Sequence, residues 1–131
     1  MIAQIFLLTG TLFAGLSVMF SAAFAHLPMF AQGLPSMVQT ALTQQQFHAL
    51  GLLFVGLALP DRPSRWLMAA GWLMLAGMLM FSFNIYARSM LFWDAMRPLI
   101  PWGGACWILA WLCMAIGFWR HPPKAITNLD D

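Results

Sequence analysis

Residues 2–25 read IAQIFLLTGTLFAGLSVMFSAAFA, an unbroken apolar run without a single Asp, Glu, Lys or Arg. The hydrocarbon core of a bilayer is about 30 Å thick, and a helix needs about 20 apolar residues to cross it. The run is long enough. Its ending, Ala23-Phe24-Ala25, resembles a small-x-small cleavage site. A secretory leader, however, carries a basic start and an apolar stretch of only about 7–15 residues. The segment is therefore expected to remain as a first membrane helix.

Three further stretches extend this reading: residues 38–59, 66–87 and 102–119. All are long and continuous, whereas a membrane barrel would show short alternating segments separated by turns. The second is the weakest. Only residues 47–59 are solidly apolar, so Gln44, Gln45 and Gln46 must lie among headgroups or face other helices. Pro28, Gly33 and Pro35 break the chain after the first helix, and Ser36 suits an N-cap for the second. Residues 60–65 form a tight turn, and residues 88–100 a longer connection resting on the membrane interface. Pro101 can open the fourth helix, because its missing N–H costs nothing in a first turn. Pro122-Pro123 closes that helix, leaving residues 120–131 as a polar tail. The expectation is one transmembrane domain over residues 1–131, an all-α integral membrane four-helix bundle.

Composition agrees. Hydrophobic residues make up 62% and charged residues 8% of the 131, against about 25% charged in soluble domains. The mean hydropathy is +0.78. A soluble domain this small could not hide so much apolar surface. The net charge of +2 and the lack of a clustered basic face exclude nucleic acid as a partner. Membrane lipids are the expected surroundings. Cys106 and Cys113 lie too far apart along one helix for a disulfide and read as reduced packing residues.

Basic residues near the spans set the expected orientation. Arg62, Arg65, Arg120 and Lys124 fall on the side holding both termini, against Arg88 and Arg97 on the other. The positive-inside bias then puts both termini in the cytoplasm, in a bacterial inner membrane. Trp66 and Trp119 at one end, and Trp93 and Trp102 at the other, fit aromatic belts.

With this topology the embedded polar groups gather toward the non-cytoplasmic end. Polar side chains in lipid are costly unless paired, so His26, Gln45, His48, Asn84 and Tyr86 are expected to point inward and bond one another. They form the candidate binding cluster, for a cofactor the sequence leaves unknown. His26 and His48 could share a depth and offer imidazoles to a metal or haem. No thiolate neighbours them and the chain has no Glu, so hydrogen bonds to backbone or to Gln45 are the expected role. His121 belongs to the opposite end. The eleven methionines, Met68, Met74, Met78 and Met80 among them, read as gap-fillers rather than a copper path. Trp107 and Trp111 make an aromatic ridge whose default neighbour is lipid, with a quinone or a partner helix as alternatives. Asp94 and Arg97, three residues apart, suggest an exposed ion pair. None of the four spans holds an Asp, Glu, Lys or Arg, which argues against a proton or ion path. Ser, His and acidic residues make no nucleophilic set.

The motifs fall in a recognisable order. Phe24-Ala25-His26 closes the first helix. Thr40-Ala41, Gln45 and His48-Ala49-Leu50 mark the second. Gly77, Phe81-Ser82 and Tyr86 mark the third, and Ile100-Pro101 with Gly103-Gly104 enters the fourth. Over nearly its whole length the chain thus resembles the small four-helix membrane proteins of Domain of Unknown Function family 423. The resemblance implies a four-helix membrane fold and no established biochemical activity. The chain departs from the family where glycines are usual, at Ser21, Phe24 and Phe83, and where an aromatic is usual, at Gln44. Bulk at Phe24 and Phe83 implies a wider bundle there.

Short loops, no extramembrane domain and no charge inside the spans point to a non-catalytic accessory subunit. Its expected partner is a larger membrane protein assembly or further copies of itself. The alternative is a small quinone-, lipid- or metal/haem-binding protein using the polar cluster.

Overall fold

A computed structural model describes residues 1–120, so His121, Pro122-Pro123, Lys124 and the rest of the tail lie outside the described residues. The chain folds as helix α1 (Ile2–His26), α2 (Ser36–Ala58), α3 (Arg65–Met78), α4 (Asn84–Leu91) and α5 (Ile100–Arg120). A π-helical turn, Leu79–Phe83, runs α3 into α4 as one rod. The result is four antiparallel rods without a strand among the described residues, an integral membrane four-helix bundle. Ile2–His26, Arg65–Leu91 and Arg97–Arg120 are long and apolar enough to cross a bilayer. α2 has the length, 23 residues or about 34 Å, but its central polar residues keep it out of that set.

Local chemistry sets the ends. Leu27 is extended (φ −72°, ψ 128°), as the residue before a proline prefers, and α1 stops there. Ser36 is not a cap: it is the first helical residue, Pro35 precedes it, and no side chain caps α2. The side chain of Ser64 does cap α3, accepting the Trp66 N–H at 3.3 Å. Phe92, left-handed at φ 55°, ends α4 and turns the chain back. Asp94 therefore pairs with Arg88, Nε to Oδ1 2.7 Å, and not with Arg97. Sequence spacing alone could not anticipate that reversal.

Two close seams hold the rods in pairs. At Gly10 a side chain would strike the Leu53 amide nitrogen and the Ala49 carbonyl of α2, and at Gly56 the Leu7 nitrogen and Ala3 carbonyl of α1. Gly103 of α5 likewise lies against the backbone of Phe81 and Gly77. Small residues let membrane helices approach backbone to backbone, where dispersion replaces the hydrophobic driving force. The pairs α1/α2 and α3/α5 are then pinned by Phe6, fully buried, over Gly71 and edge-on to Trp72 at 5.2 Å.

The core has two parts. Toward the end carrying the termini it is dry: Phe6, Leu52, Val55, Leu67, Met74 and Met78. Met74 and Met78 do fill gaps between helices, whereas Met68 and Met80 are half-buried. At the other end Phe24, Phe30, Ile85 and Tyr86 form a second cluster. Here Phe24 and Phe83, whose bulk stands out in the sequence, pack against other rings. Phe24 meets Phe30 at 5.6 Å and Tyr86 at 5.5 Å, and Phe83 meets Phe13 at 5.2 Å. Rings fill the space that glycine would close. Arg62 stands over Phe118 and Arg120 over Trp66, so the expected basic and aromatic residues of one interface do share an end. Cys106 and Cys113 are free and half-buried.

Candidate functional site

Because α2 begins at Ser36, its glutamine triplet sits near the middle of the helix, deeper than the headgroup zone. Depth is checked independently: Gln45 Nε2 donates to the Phe13 carbonyl at 2.9 Å, and Phe13 lies midway along α1. Each step along a helix turns a side chain by about 100°, so three consecutive glutamines face three ways.

Gln45 faces inward. It is fully buried, gives its amide N–H to α1, and accepts the Tyr86 hydroxyl at Oε1, 2.9 Å away. One side chain thereby ties α1, α2 and α4. Four residues earlier on α2, the Ala41 carbonyl accepts the Ser82 hydroxyl at 2.8 Å. The rings of Phe20, Phe24 and Phe83 surround Tyr86, so these bonds sit in apolar surroundings where breaking them is costly.

His48 lies on another side of α2, against α5. Its Nδ1 stands 2.8 Å from the Gln44 carbonyl, which can only accept, so Nδ1 carries the proton. Its Nε2 stands 3.2 Å from the Trp111 indole N–H, which can only donate, so Nε2 supplies the lone pair. The ring stacks on Trp107 at 4.0 Å and 8°, and Trp107 in turn donates to the Met74 carbonyl at 3.2 Å. The imidazole is thus neutral, in one tautomer, with both nitrogens engaged. Trp107 is buried and Trp111 half-buried, so the ridge turns inward to α2 and α3, not out to lipid. An indole N–H at this depth must find an acceptor, and that rule was the available signal for pairing Trp111 with His48.

The other two candidates stand apart. Asn84 is buried, donates through Nδ2 to the Met96 carbonyl in the following loop, and leaves Oδ1 without a partner. His26 is exposed at the end of α1 and bonds none of the others among the described residues. The expected single cluster is therefore three separate arrangements. Gln45 meets Tyr86, His48 meets the tryptophans, and Asn84 meets a loop. His26 and His48 are not brought together, and no group of three His, Cys, Asp or Glu able to hold a metal occurs among the described residues.

The remaining two glutamines face outward. Gln44 is half-buried and borders a groove of about 370 Å3, open to the side, with Phe47 and His48 of α2, Phe81, and Trp107 and Trp111 of α5. Gln46 is exposed on the outer face of α2. An amide moved from water into hydrocarbon without a partner costs roughly 4–8 kcal/mol.

A family model described as "Protein of unknown function (DUF423)" matches residues 20–104, from the last turns of α1 to the first turn of α5. The chain is also similar to an inner membrane protein of Escherichia coli strain K12, described as UPF0382 inner membrane protein YgdD. The two are 25% identical over 91 residues, covering 70% of each chain. The Shigella flexneri protein of the same description matches equally. No solved structure matches.

Proposed function

The chain belongs to the DUF423 family of membrane proteins, and we propose that within it this protein is a non-catalytic helical subunit of a bacterial inner-membrane assembly. The observation that carries this reading is the way its buried polar groups are used. Gln45, Ser82, Tyr86, His48 and Trp107 bond from one helix to another, so they stabilise the bundle and are engaged within it rather than offered to a ligand. The loops between helices are short. The outside is broad and apolar, with Leu8, Leu12, Val18, Ile108 and Leu112 all exposed.

Both termini face the cytoplasm in this reading, because Arg62, Arg65, Arg120 and Lys124 outnumber Arg88 and Arg97 in the sequence. The relative's description as an inner membrane protein supports the compartment. Cysteines placed singly at residues 62 and 97 check the orientation: only the second should react with an impermeant thiol reagent in intact cells.

A second reading, a binder of quinone or lipid, is favoured by one feature, the groove beside Gln44 with its aromatic walls. The two readings separate on gentle solubilisation of the full chain followed by mass spectrometry of everything retained. A subunit brings a protein, or further copies, in fixed stoichiometry. A clean monomer carrying one extractable quinone would sink the subunit reading.

A further inference from the structure

The bundle leaves one helix face both polar and bare. Along α2 the residues Gln39, Thr43, Gln46, Leu50, Phe54 and Leu57 recur every three or four positions, and all are exposed. The Thr43 hydroxyl returns to its own helix, at the Gln39 carbonyl. Neither the Gln39 nor the Gln46 amide makes a hydrogen bond among the described residues. Gln39 stands in the first turn of α2, where water and headgroups can serve it. Gln46 is the neighbour of Gln45, whose bond to Phe13 sets both midway along the membrane-crossing helix α1, far from either end. By contrast, the bare face of α5 (Ile108, Leu112) is apolar, and on the bare face of α1 the Thr11 hydroxyl returns to the Leu7 carbonyl and Gln4 stands in the first turn, within reach of headgroups.

We propose that this face of α2 is the interface between two copies of the chain, paired about a twofold axis along the membrane normal through Gln46. The inference rests on the subunit reading and names its partner. A primary amide is at once donor and acceptor, so Gln46 is complementary to its own copy, as an isologous contact requires. An axis along the normal sets equal residues at equal depth. The two Gln46 amides bond each other, the Gln39 ends meet near the headgroups, and Leu50, Phe54 and Leu57 pack against their counterparts below. An antiparallel copy would instead set the polar Gln39 end against Phe54. Interhelical amide bonds of this kind drive association in lipid and fix its register.

The test uses the full chain in phosphatidylethanolamine–phosphatidylglycerol vesicles. Leu50→Cys, which keeps the Gln46 amide and lies one turn away on the same exposed face, should give a covalent dimer when oxidised by copper phenanthroline in air, whereas Leu12→Cys should stay at the background of the unsubstituted protein. Fluorescence energy transfer on dilution with lipid should show Gln46→Leu weakening self-association about tenfold, and Gln46→Asn retaining most of it. Undiminished association in Gln46→Leu overturns the proposal, as does a Leu50→Cys protein that forms no cross-linked dimer. Cross-linking of Leu50→Cys in native membranes to a different polypeptide overturns the second copy but keeps the subunit reading. A monomer in vesicles that also retains no protein on gentle solubilisation overturns both.

Discussion

Gln45 and Gln46 are the same side chain, one residue apart on one helix, and the molecule treats them in opposite ways. Gln45 is enclosed, bonded to α1 through Phe13 and to α4 through Tyr86. Gln46 faces out of the bundle with no partner of its own among the described residues. The difference comes from rotation alone, about 100° per residue, since depth and chemistry are shared. A polar residue in a membrane helix is thus either a fastening within the fold or a demand on something outside it. Its angle around the helix decides which.

The largest effect should come from breaking the enclosed side. Gln45→Leu removes both bonds and leaves the Tyr86 hydroxyl without an acceptor in a pocket of phenyl rings. Interhelical bonds in membranes average about 0.6 kcal/mol and reach about 1.7, and a stranded buried hydroxyl adds about 1 kcal/mol or more. A loss of about 2–3 kcal/mol is expected, read from unfolding in mixed micelles. Tyr86→Phe tests the same fastening more gently. It keeps the ring packed on Phe20 and Phe24, keeps the Gln45 bond to Phe13, and should cost about 1 kcal/mol. Should Tyr86→Phe cost as much as Gln45→Leu, the bridge to α1 contributes nothing.

How much of this was legible in the sequence follows from the same rotation. The four rods were readable, because continuous apolar runs of membrane-crossing length have few other uses. The meeting of Gln45 with Tyr86 was readable too, since buried amides and phenols in lipid must find partners. The facing of single residues was not. Of the two places the sequence allowed for the glutamines, Gln45 takes the one against other helices, and the π turn at Leu79–Phe83 changed the angular phase of Asn84 and Tyr86 relative to α3. Asn84 then meets the Met96 loop, and His26, exposed in the last turn of α1, bonds none of the other candidates among the described residues. Bulk at Phe24 and Phe83 was visible as a departure from glycine. That these rings would enclose Tyr86 depends on contacts between three helices, which no single segment encodes.

Smaller effects sharpen the contrast on the α5 side. Trp111→Phe removes the N–H that His48 Nε2 accepts while preserving most of the aromatic surface, and a loss of about 0.5–1 kcal/mol is expected. Its more specific consequence is chemical. With Nε2 released, the imidazole keeps its Nδ1 bond to the Gln44 carbonyl but loses its donor, so the nitrogen-15 resonance of Nε2 should shift while that of Nδ1 stays. An unchanged Nε2 resonance would mean that the His48–Trp111 bond is not formed in the parent.

The smallest effect on folding should belong to Gln46. Gln46→Leu in a strictly monomeric preparation, diluted into excess detergent, should leave unfolding unchanged within about 0.5 kcal/mol, as for surface positions generally. The side chain touches nothing whose loss could destabilise the bundle, and leucine suits lipid better than an amide. A destabilisation as large as that of Gln45→Leu would place Gln46 inside the fold and erase the contrast between the two residues. A neutral result, beside a large cost at Gln45, would show that adjacent identical residues serve separate ends, one within the protein and one beyond it.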